Sequence, residues 1–215
     1  MNARRGLFRP WLVSSVEAVR VFRKALVWTA LPVGYAEVLL TAPQWARDSL
    51  MRAVIERTGG LLILLCIAGR TWCSLYIGGH KERQLIVSGP YSITRNPLYA
   101  FSILGTVGIF AVFGSITLAL TNGLLAFVFF RLLLQREEQV LESLHGETFR
   151  EYCRRVPRLF PRFSGWQDEK WLNVAPTILW TTFLDSLFFL LAYPVADGIA
   201  LLRHFQWLPP LVLLP

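Results

Sequence analysis

The sequence predicts an all-α, polytopic integral membrane protein of about five to six transmembrane helices, including a tight helical hairpin. Three observations carry that expectation. Hydrophobic residues make up 54% of the 215, with eight Trp and fifteen Phe, where ~45–50% is usual for a soluble domain even counting glycine. Several windows reach the roughly 20 apolar residues that a spanning helix needs. The basic residues behind the net charge of +8 gather in stretches between those windows, as cationic residues do on the cytoplasmic side of a membrane.

Residues 1–24 read as a basic interfacial segment. Arg4, Arg5 and Arg9 precede WLVSSVEAVRVFRK, in which Leu12, Val16, Val19 and Phe22 share one stripe. That is the pattern of a helix lying on the membrane, or of a plain cytosolic lead-in to the first span. Glu17, Arg20, Arg23 and Lys24 interrupt it, so it lacks the unbroken core of a cleavable signal. The first candidate span is 25–43, broken by Pro32 and carrying Glu37 near its far end, where a carboxylate can reach interfacial water. Polar residues 44–58 lead to a second span, 59–78. It contains Arg70, a costly residue in a bilayer, which should face protein, a water-filled cavity or an anionic partner.

Residues 98–134 are too long for one span at about 1.5 Å per residue. Phe113-Gly114-Ser115 permits a break, so the stretch reads as a hairpin of about 98–112 and 115–134. Gly105 and Gly108 would let its first arm pack closely on a neighbour. Residues 135–172 are polar and basic. A last apolar region, 174–193, begins with Pro176, and 198–215 is apolar again but carries Arg203, His204 and three prolines. That tail reads equally as a sixth span, a partial one or an interfacial segment. The organisation expected is thus 1–24 as lead-in, 25–172 as the membrane core and 173–215 as an addition that covers an entrance from the lipid or makes a homodimer contact.

The N-terminus, the 79–97 loop and 135–172 hold most basic residues and fall on one membrane face when the spans alternate. The partner this implies is the membrane's own lipid. Nucleic acid is excluded as a partner, because the cations flank apolar spans and form no polar domain. Cys66, Cys73 and Cys153 match no zinc spacing, and neither a metal site nor a disulfide framework is expected.

The stretch GPYSITRNPLYA (89–100) is where chemistry enters. Gly89-Pro90 makes a turn. Asn96 is pushed toward extended backbone by Pro97, which can open the next helix because its missing N–H costs nothing there. Arg95 is thereby held at a helix start, where a guanidinium can grip a carboxylate or phosphate through two hydrogen bonds. Helix amides add further donors, and Tyr91 and Tyr99 flank the position. One hairpin later, Glu137 and Glu138 leave the membrane on the same expected face, able to accept from a ribose diol or balance a positive centre. His145-Gly146 ends that helix, and Phe149-Arg150-Glu151-Tyr152 opens another turn before Val156-Pro157.

GPYSITRNPLY followed by REEQVLESLHGETFREYCRRVP resembles the isoprenylcysteine carboxyl methyltransferase family, part of a wider group that includes the phospholipid N-methyltransferases. The likeness covers about residues 59–161. It implies S-adenosylmethionine bound from the cytosolic side and an acceptor taken from the lipid. It implies cofactor contacts at Gly89, Tyr91, Arg95, Asn96, Pro97, Tyr99, Glu137 and Glu138. Two departures stand out: Asn96 occupies a position that is usually histidine, and His145 one that is often phenylalanine. The first removes a proton acceptor while keeping hydrogen bonding. Of the tail's tyrosine pair only Tyr152 is present, with Phe149 in the other place.

The chemistry of the residues fits that implication. Arg95 suits the donor's carboxylate, the glutamates its diol or amino group, and tyrosine faces a sulfonium through cation–π attraction. Arg95 and Glu138 are the candidates for the reacting centre. Arg70 is a third, steering an anionic acceptor, unless it serves as a structural partner for Glu37 or backbone carbonyls. The reading is therefore methyl transfer to a lipophilic small molecule or lipid in a cell's inner membrane, with the active site facing the cytoplasm. Two rivals remain: a nicotinamide-dependent membrane reductase of sterol-reductase-like type, with a similar Arg-x-Pro-x-Tyr signature, and a non-enzymatic transporter or scaffold.

Overall fold

A computed structural model describes Val21, residues 32–77 and residues 85–215. The rest of the basic lead-in, the start of the first candidate span and the loop stretch containing His80 lie outside the described residues. Residues 32–40 are helical and run into a short strand, β1 (Thr41–Pro43). The helices that follow are α1 (Leu50–Ile77), a single turn α2 (Pro90–Ile93), α3 (Pro97–Val112), α4 (Ile116–His145) and α5 (Glu147–Arg155). Then come α6 (Pro176–Leu187), a 3-10 turn (Phe188–Leu191), α7 (Ala192–His204) and β2 (Val212–Leu214).

Three helical stretches among the described residues are long and apolar enough to cross a membrane: α1, α4 and the continuous run Pro176–His204, with α3 a shorter apolar helix. This is a helical membrane protein, and its only sheet among the described residues is one parallel pair, β1 with β2. Outward-facing leucines such as Leu64, Leu120 and Leu124 are what a lipid-facing surface requires.

The span boundaries differ from the sequence expectation, first at the start of α1. Residues 44–58 do not form an inter-span loop, because α1 already begins at Leu50. Arg52 donates to Glu56 one turn later at 2.7 Å, and Ile55 is buried on the inner side. A first turn that is charged outside and apolar inside is simply an amphipathic helix end.

The hairpin forms where glycine and serine permit it. Gly114 takes a φ of 81°, and the Ser115 hydroxyl accepts from the Leu118 amide at 3.2 Å, capping α4. That helix does not stop at residue 134. It continues for 30 residues to His145, which at 1.5 Å per residue is about 45 Å and overshoots the ~30 Å hydrocarbon layer. Its last turns therefore stand in the aqueous boundary and carry Glu137 and Glu138 there.

Glycine brings α1 and α3 together. A Cβ on Gly59 would stand 2.8 Å from the Gly108 carbonyl oxygen, and one on Gly108 would stand 2.8 Å from that of Gly59. Gly105 meets Cys66 and Phe189 in the same way. Close backbone approach of this kind is how helices pack in lipid, where no hydrophobic force drives them together. Ile63, Ile67, Val112 and Ala192 form the adjoining core.

The C-terminal tail is not a sixth span. Its first residues complete α7, and the remainder folds back so that β2 pairs in parallel with β1, Thr41 opposite Val212. Arg203 donates to the Val38 carbonyl at 2.7 Å and to that of Thr41. Ser115 donates to the Pro215 carbonyl at 2.8 Å. Glu37, expected to reach water, instead accepts from Asn122 of α4 at 2.6 Å. All of these contacts gather at the hairpin-turn end of the bundle. The opposite end, where α1 and α4 finish and α3 starts, is left for the site.

Replacing Gly108 with valine should separate α1 from α3 and cost about 1–3 kcal/mol, the usual range for overpacking. It should lower the thermal midpoint in detergent, whereas Gly198→Ala, with nothing within 4 Å, should leave it in place.

Candidate functional site

The site is built on a backbone clasp between two stretches that lie between helices. The Arg95 amide donates to the Pro157 carbonyl and the Arg162 amide to the Ile93 carbonyl, both at 2.9 Å. The Thr94 hydroxyl donates to the Arg158 carbonyl at 3.2 Å, as does the Asn96 side-chain amide at 3.1 Å. Asn96, with φ −133° and ψ 58°, sits outside the helix that Pro97 begins, as the Asn-Pro pair dictates. Rigid backbone on both sides thus fixes where Arg95 and Arg158 project.

Both arginines reach Glu138. Arg158 Nη2 lies 2.6 Å from Glu138 Oε2, and Arg95 Nε lies 3.6 Å from Oε1. Asn96 Nδ2 adds a long contact to Oε1 at 3.4 Å. The Arg95 and Glu138 side chains are only 13% and 11% exposed, so this pair is shielded far better than a surface ion pair. Yet Nε of Arg95 and Nε of Arg158 are buried without a hydrogen-bond partner among the described residues. A buried guanidinium N–H left without a hydrogen bond is costly.

A cleft of about 520 Å³ opens beside this cluster, lined by Arg95, Arg150, Arg154 and Arg158 against Glu138 and Glu142. Four cations against two carboxylates leave it net positive. Its size falls within the ~300–1,000 Å³ common for small-molecule and cofactor sites. One wall is Phe149, which packs with Tyr152 and Val156 as the apolar floor of α5.

The other residues singled out by the motif play supporting parts. Glu137 and Glu138 do not act as a pair: successive helical residues diverge by about 100°, and Glu137 accepts from the Tyr99 hydroxyl at 2.6 Å instead. Tyr99 also packs on Phe130 at 5.0 Å between ring centres. The Tyr91 carbonyl accepts from the Tyr152 hydroxyl at 2.7 Å, while the Tyr91 hydroxyl is buried without a partner among the described residues. Burial pushes both phenols above their ordinary pKa, that of Tyr91 well above, so both stay protonated donors.

Gly89, with φ 58°, lies against Tyr76, whose ring would be 2.1 Å from any Cβ placed there. Its amide donates to Gln167 at 2.7 Å. The segment around Gln167 acts as a strap. Trp166 stacks on Trp72 at 5.7 Å, Tyr76 donates to Asp168 at 2.9 Å and Ser88 to Glu169 at 2.8 Å. Gly89 therefore shapes the turn and does not line the cleft.

Arg70 stands apart, deeper in the bundle. It donates through Nε to Ser186 at 2.9 Å and through Nη1 to Ser102 at 2.5 Å. Among the described residues it pairs with neither Glu37 nor a backbone carbonyl: Glu37 lies toward the hairpin-turn end with Asn122.

Arg158 is the member of the cluster that sequence reasoning missed, having been counted only as one cation of a basic segment. Its signal was its place directly after Pro157, in a stretch where proline restricts the backbone. Arg150 and Arg154 were likewise counted only within that basic segment, and Glu142 was not singled out.

Three comparisons with known proteins bear on this geometry. The phospholipid methyltransferase family model matches residues 61–148, which span Arg70, the GPYSITRNPLYA stretch, the hairpin and Glu138. The nickel-cobalt-cadmium resistance protein NccN of Alcaligenes xylosoxydans xylosoxydans is 34% identical over 88% of this chain and 88% of its own length. The cobalt-zinc-cadmium resistance protein CzcN of Cupriavidus metallidurans is 36% identical over 61% of each chain. No solved structure matches significantly. Since the matched region holds both Arg95 and the helix that presents Glu138, the chain belongs to the phospholipid methyltransferase family of membrane methyltransferases.

Proposed function

We propose that this protein transfers the methyl group of S-adenosylmethionine to a lipophilic acceptor drawn from the bilayer, with the cleft facing the cytoplasm from a bacterial inner membrane. The observation that carries the reading is the Arg95–Glu138–Arg158 cluster beside a net-positive cleft at one end of the hairpin. A family member needs to hold a small zwitterionic nucleoside at this boundary, and the donor set fits one. The Arg95 and Arg158 guanidinium groups, whose Nε–H groups make no hydrogen bond among the described residues, suit an amino-acid carboxylate. Glu138 suits the ammonium or a ribose hydroxyl, and Phe149 provides an apolar wall for the base.

Once bound, the sulfonium supplies an electrophilic methyl that passes by direct displacement to the acceptor, with no covalent enzyme intermediate required. The protein's part is alignment. Arg95 and Arg158 anchor one end of the nucleoside on backbone that cannot move far, because the clasp of residues 93–96 with 157–162 fixes it. Alignment at near-contact distance is worth up to about 7–11 kcal/mol of a barrier in favourable cases. Tyr99 and Tyr152, hydrogen-bonded to the Glu137 carboxylate and the Tyr91 carbonyl, position the glutamate helix and the turn.

The metal-resistance names of the two relatives suggest a setting for this activity: modification of envelope amphiphiles in cells exposed to those metals. Among the described residues no group of three or more His, Cys, Asp or Glu side chains could hold a metal ion, so it is the relatives' names alone that support a link to metals.

Isothermal titration of the purified protein should show binding of S-adenosylhomocysteine and none of NADPH. The reverse would replace the methyltransferase reading by the reductase one. Glu138→Ala, Arg95→Ala and Arg158→Ala should each weaken that binding at least about tenfold, since each strands a shielded charge, while the exposed Arg155→Ala should not. In membranes supplied with isotopically labelled methyl donor, label should appear by mass spectrometry in a lipid-soluble product with the unaltered protein and be absent with Glu138→Ala.

A further inference from the structure

Arg70 lies seven residues before the end of α1, about 10 Å below it at 1.5 Å per residue. That places it within the apolar layer, one helical turn or so deeper than Tyr99. A cation at this depth is expensive unless it is compensated. Its partners are two neutral hydroxyls. Ser102 of α3 donates its own proton back to the Leu98 carbonyl at 2.8 Å, and Ser186 of α6 donates to the Thr182 carbonyl at 2.6 Å. Each serine can then only accept from the guanidinium, which pins its orientation and leaves its charge unbalanced. Among the described residues no carboxylate pairs with Arg70. The Phe189 ring, 5.9 Å from the guanidinium carbon, closes another side with weak cation–π attraction. Arg70 is nevertheless only half-buried, and its Nη2 makes no hydrogen bond among the described residues.

We propose that Arg70, oriented by Ser102 and Ser186, is an intramembrane seat for the anionic headgroup of a single- or double-chain amphiphile, bearing a carboxylate or phosphate. Such a group supplies the missing negative charge, and its acyl chain lies in the layer that surrounds the seat. The site is assembled only by tertiary structure: Ser186 belongs to α6, beyond the residues 61–148 that match the family model. Ser102 lies on α3, the helix that starts two residues after the cleft residue Arg95. As the position of the methyl acceptor this rests on the function proposed above; as an anion site it does not.

The test uses the full chain in nanodiscs and electron paramagnetic resonance of spin-labelled stearate, its methyl ester and spin-labelled phosphatidate. The motionally restricted fraction should favour stearate or phosphatidate over the ester by roughly tenfold, the scale of a charge-assisted hydrogen bond. Arg70→Gln should abolish the preference, Arg70→Lys should retain most of it, and Ser186→Ala should weaken it several-fold. Equal restriction of acid and ester, or a preference that survives Arg70→Gln, would overturn the proposal. Displacement of the label by millimolar inorganic phosphate would assign the seat to a water-borne anion and overturn the lipid source. S-adenosylhomocysteine affinity, measured in parallel, should be unchanged in every variant. Should Arg70→Gln fail to insert, Arg70→Lys and Ser186→Ala decide the matter by the same readout. An unaltered protein that restricts stearate but binds no S-adenosylhomocysteine would uphold the anion seat and remove only the methyl-transfer reading.

Discussion

The carboxylate of Glu138 is the point on which the rest of the molecule turns. It is presented by the last turns of a 30-residue helix, where that helix has outrun the hydrocarbon, and it is met by guanidiniums from two separate stretches of chain. Neither arginine is placed by the ion pair alone. The backbone around Arg95 is hydrogen-bonded to the backbone around Arg158, so the carboxylate meets a preformed claw. A shielded charge that loses one partner costs several kcal/mol, typically about 3–5. The same arrangement therefore holds the loops together and keeps them cationic.

The two ends of the bundle are built on different principles. At the hairpin-turn end, polar groups are largely consumed internally: β1 pairs with β2, Arg203 donates to the Val38 and Thr41 carbonyls, and Ser115 reaches Pro215, although Arg203 Nε and Trp45 Nε1 are buried there without a hydrogen-bond partner among the described residues. At the site end, polar groups are left over. The Nε atoms of Arg95 and Arg158 and the Tyr91 hydroxyl are buried without a hydrogen bond among the described residues, and the cleft carries surplus positive charge. What separates the two ends is the cleft, which opens at the site end and is lined by four guanidinium groups and two carboxylates. The C-terminal third belongs to this division. Its strap around Gln167 braces the Gly89 turn, and its last span supplies Ser186 to Arg70.

Much of this was legible in the residues. Asn96-Pro97 marked a helix start, Gly114-Ser115 a hairpin turn and Gly146 a helix end, because each residue restricts or frees the backbone locally. Gly108 marked a close helix contact for the same reason. Arg95 and Glu138 were identified from a motif whose spacing returns both to one membrane face, and the structure brings them to 3.6 Å. Other features were not legible. Polar residues 50–58 read as a loop because charge at a helix end looks like charge in a loop until the buried face is known. Glu137 and Glu138 read as a pair because a sequence does not show that their neighbours lie in different directions. Arg158 read as one cation among many.

Local chemistry, then, was determined by the sequence alone: the apolar spans, their breaks, and the presence of a cationic turn and a glutamate helix at one aqueous boundary. Each follows from steric limits on a few neighbouring residues or from the cost of taking polar groups into lipid. The tertiary structure decided which charges meet. Arg158 rather than Glu137 completes the cluster, Ser186 rather than Glu37 orients Arg70, and the tail closes a sheet rather than crossing the bilayer. Those pairings join residues 20 to 165 positions apart, and what selects among them is the three-dimensional cost of leaving a buried donor or charge without a partner.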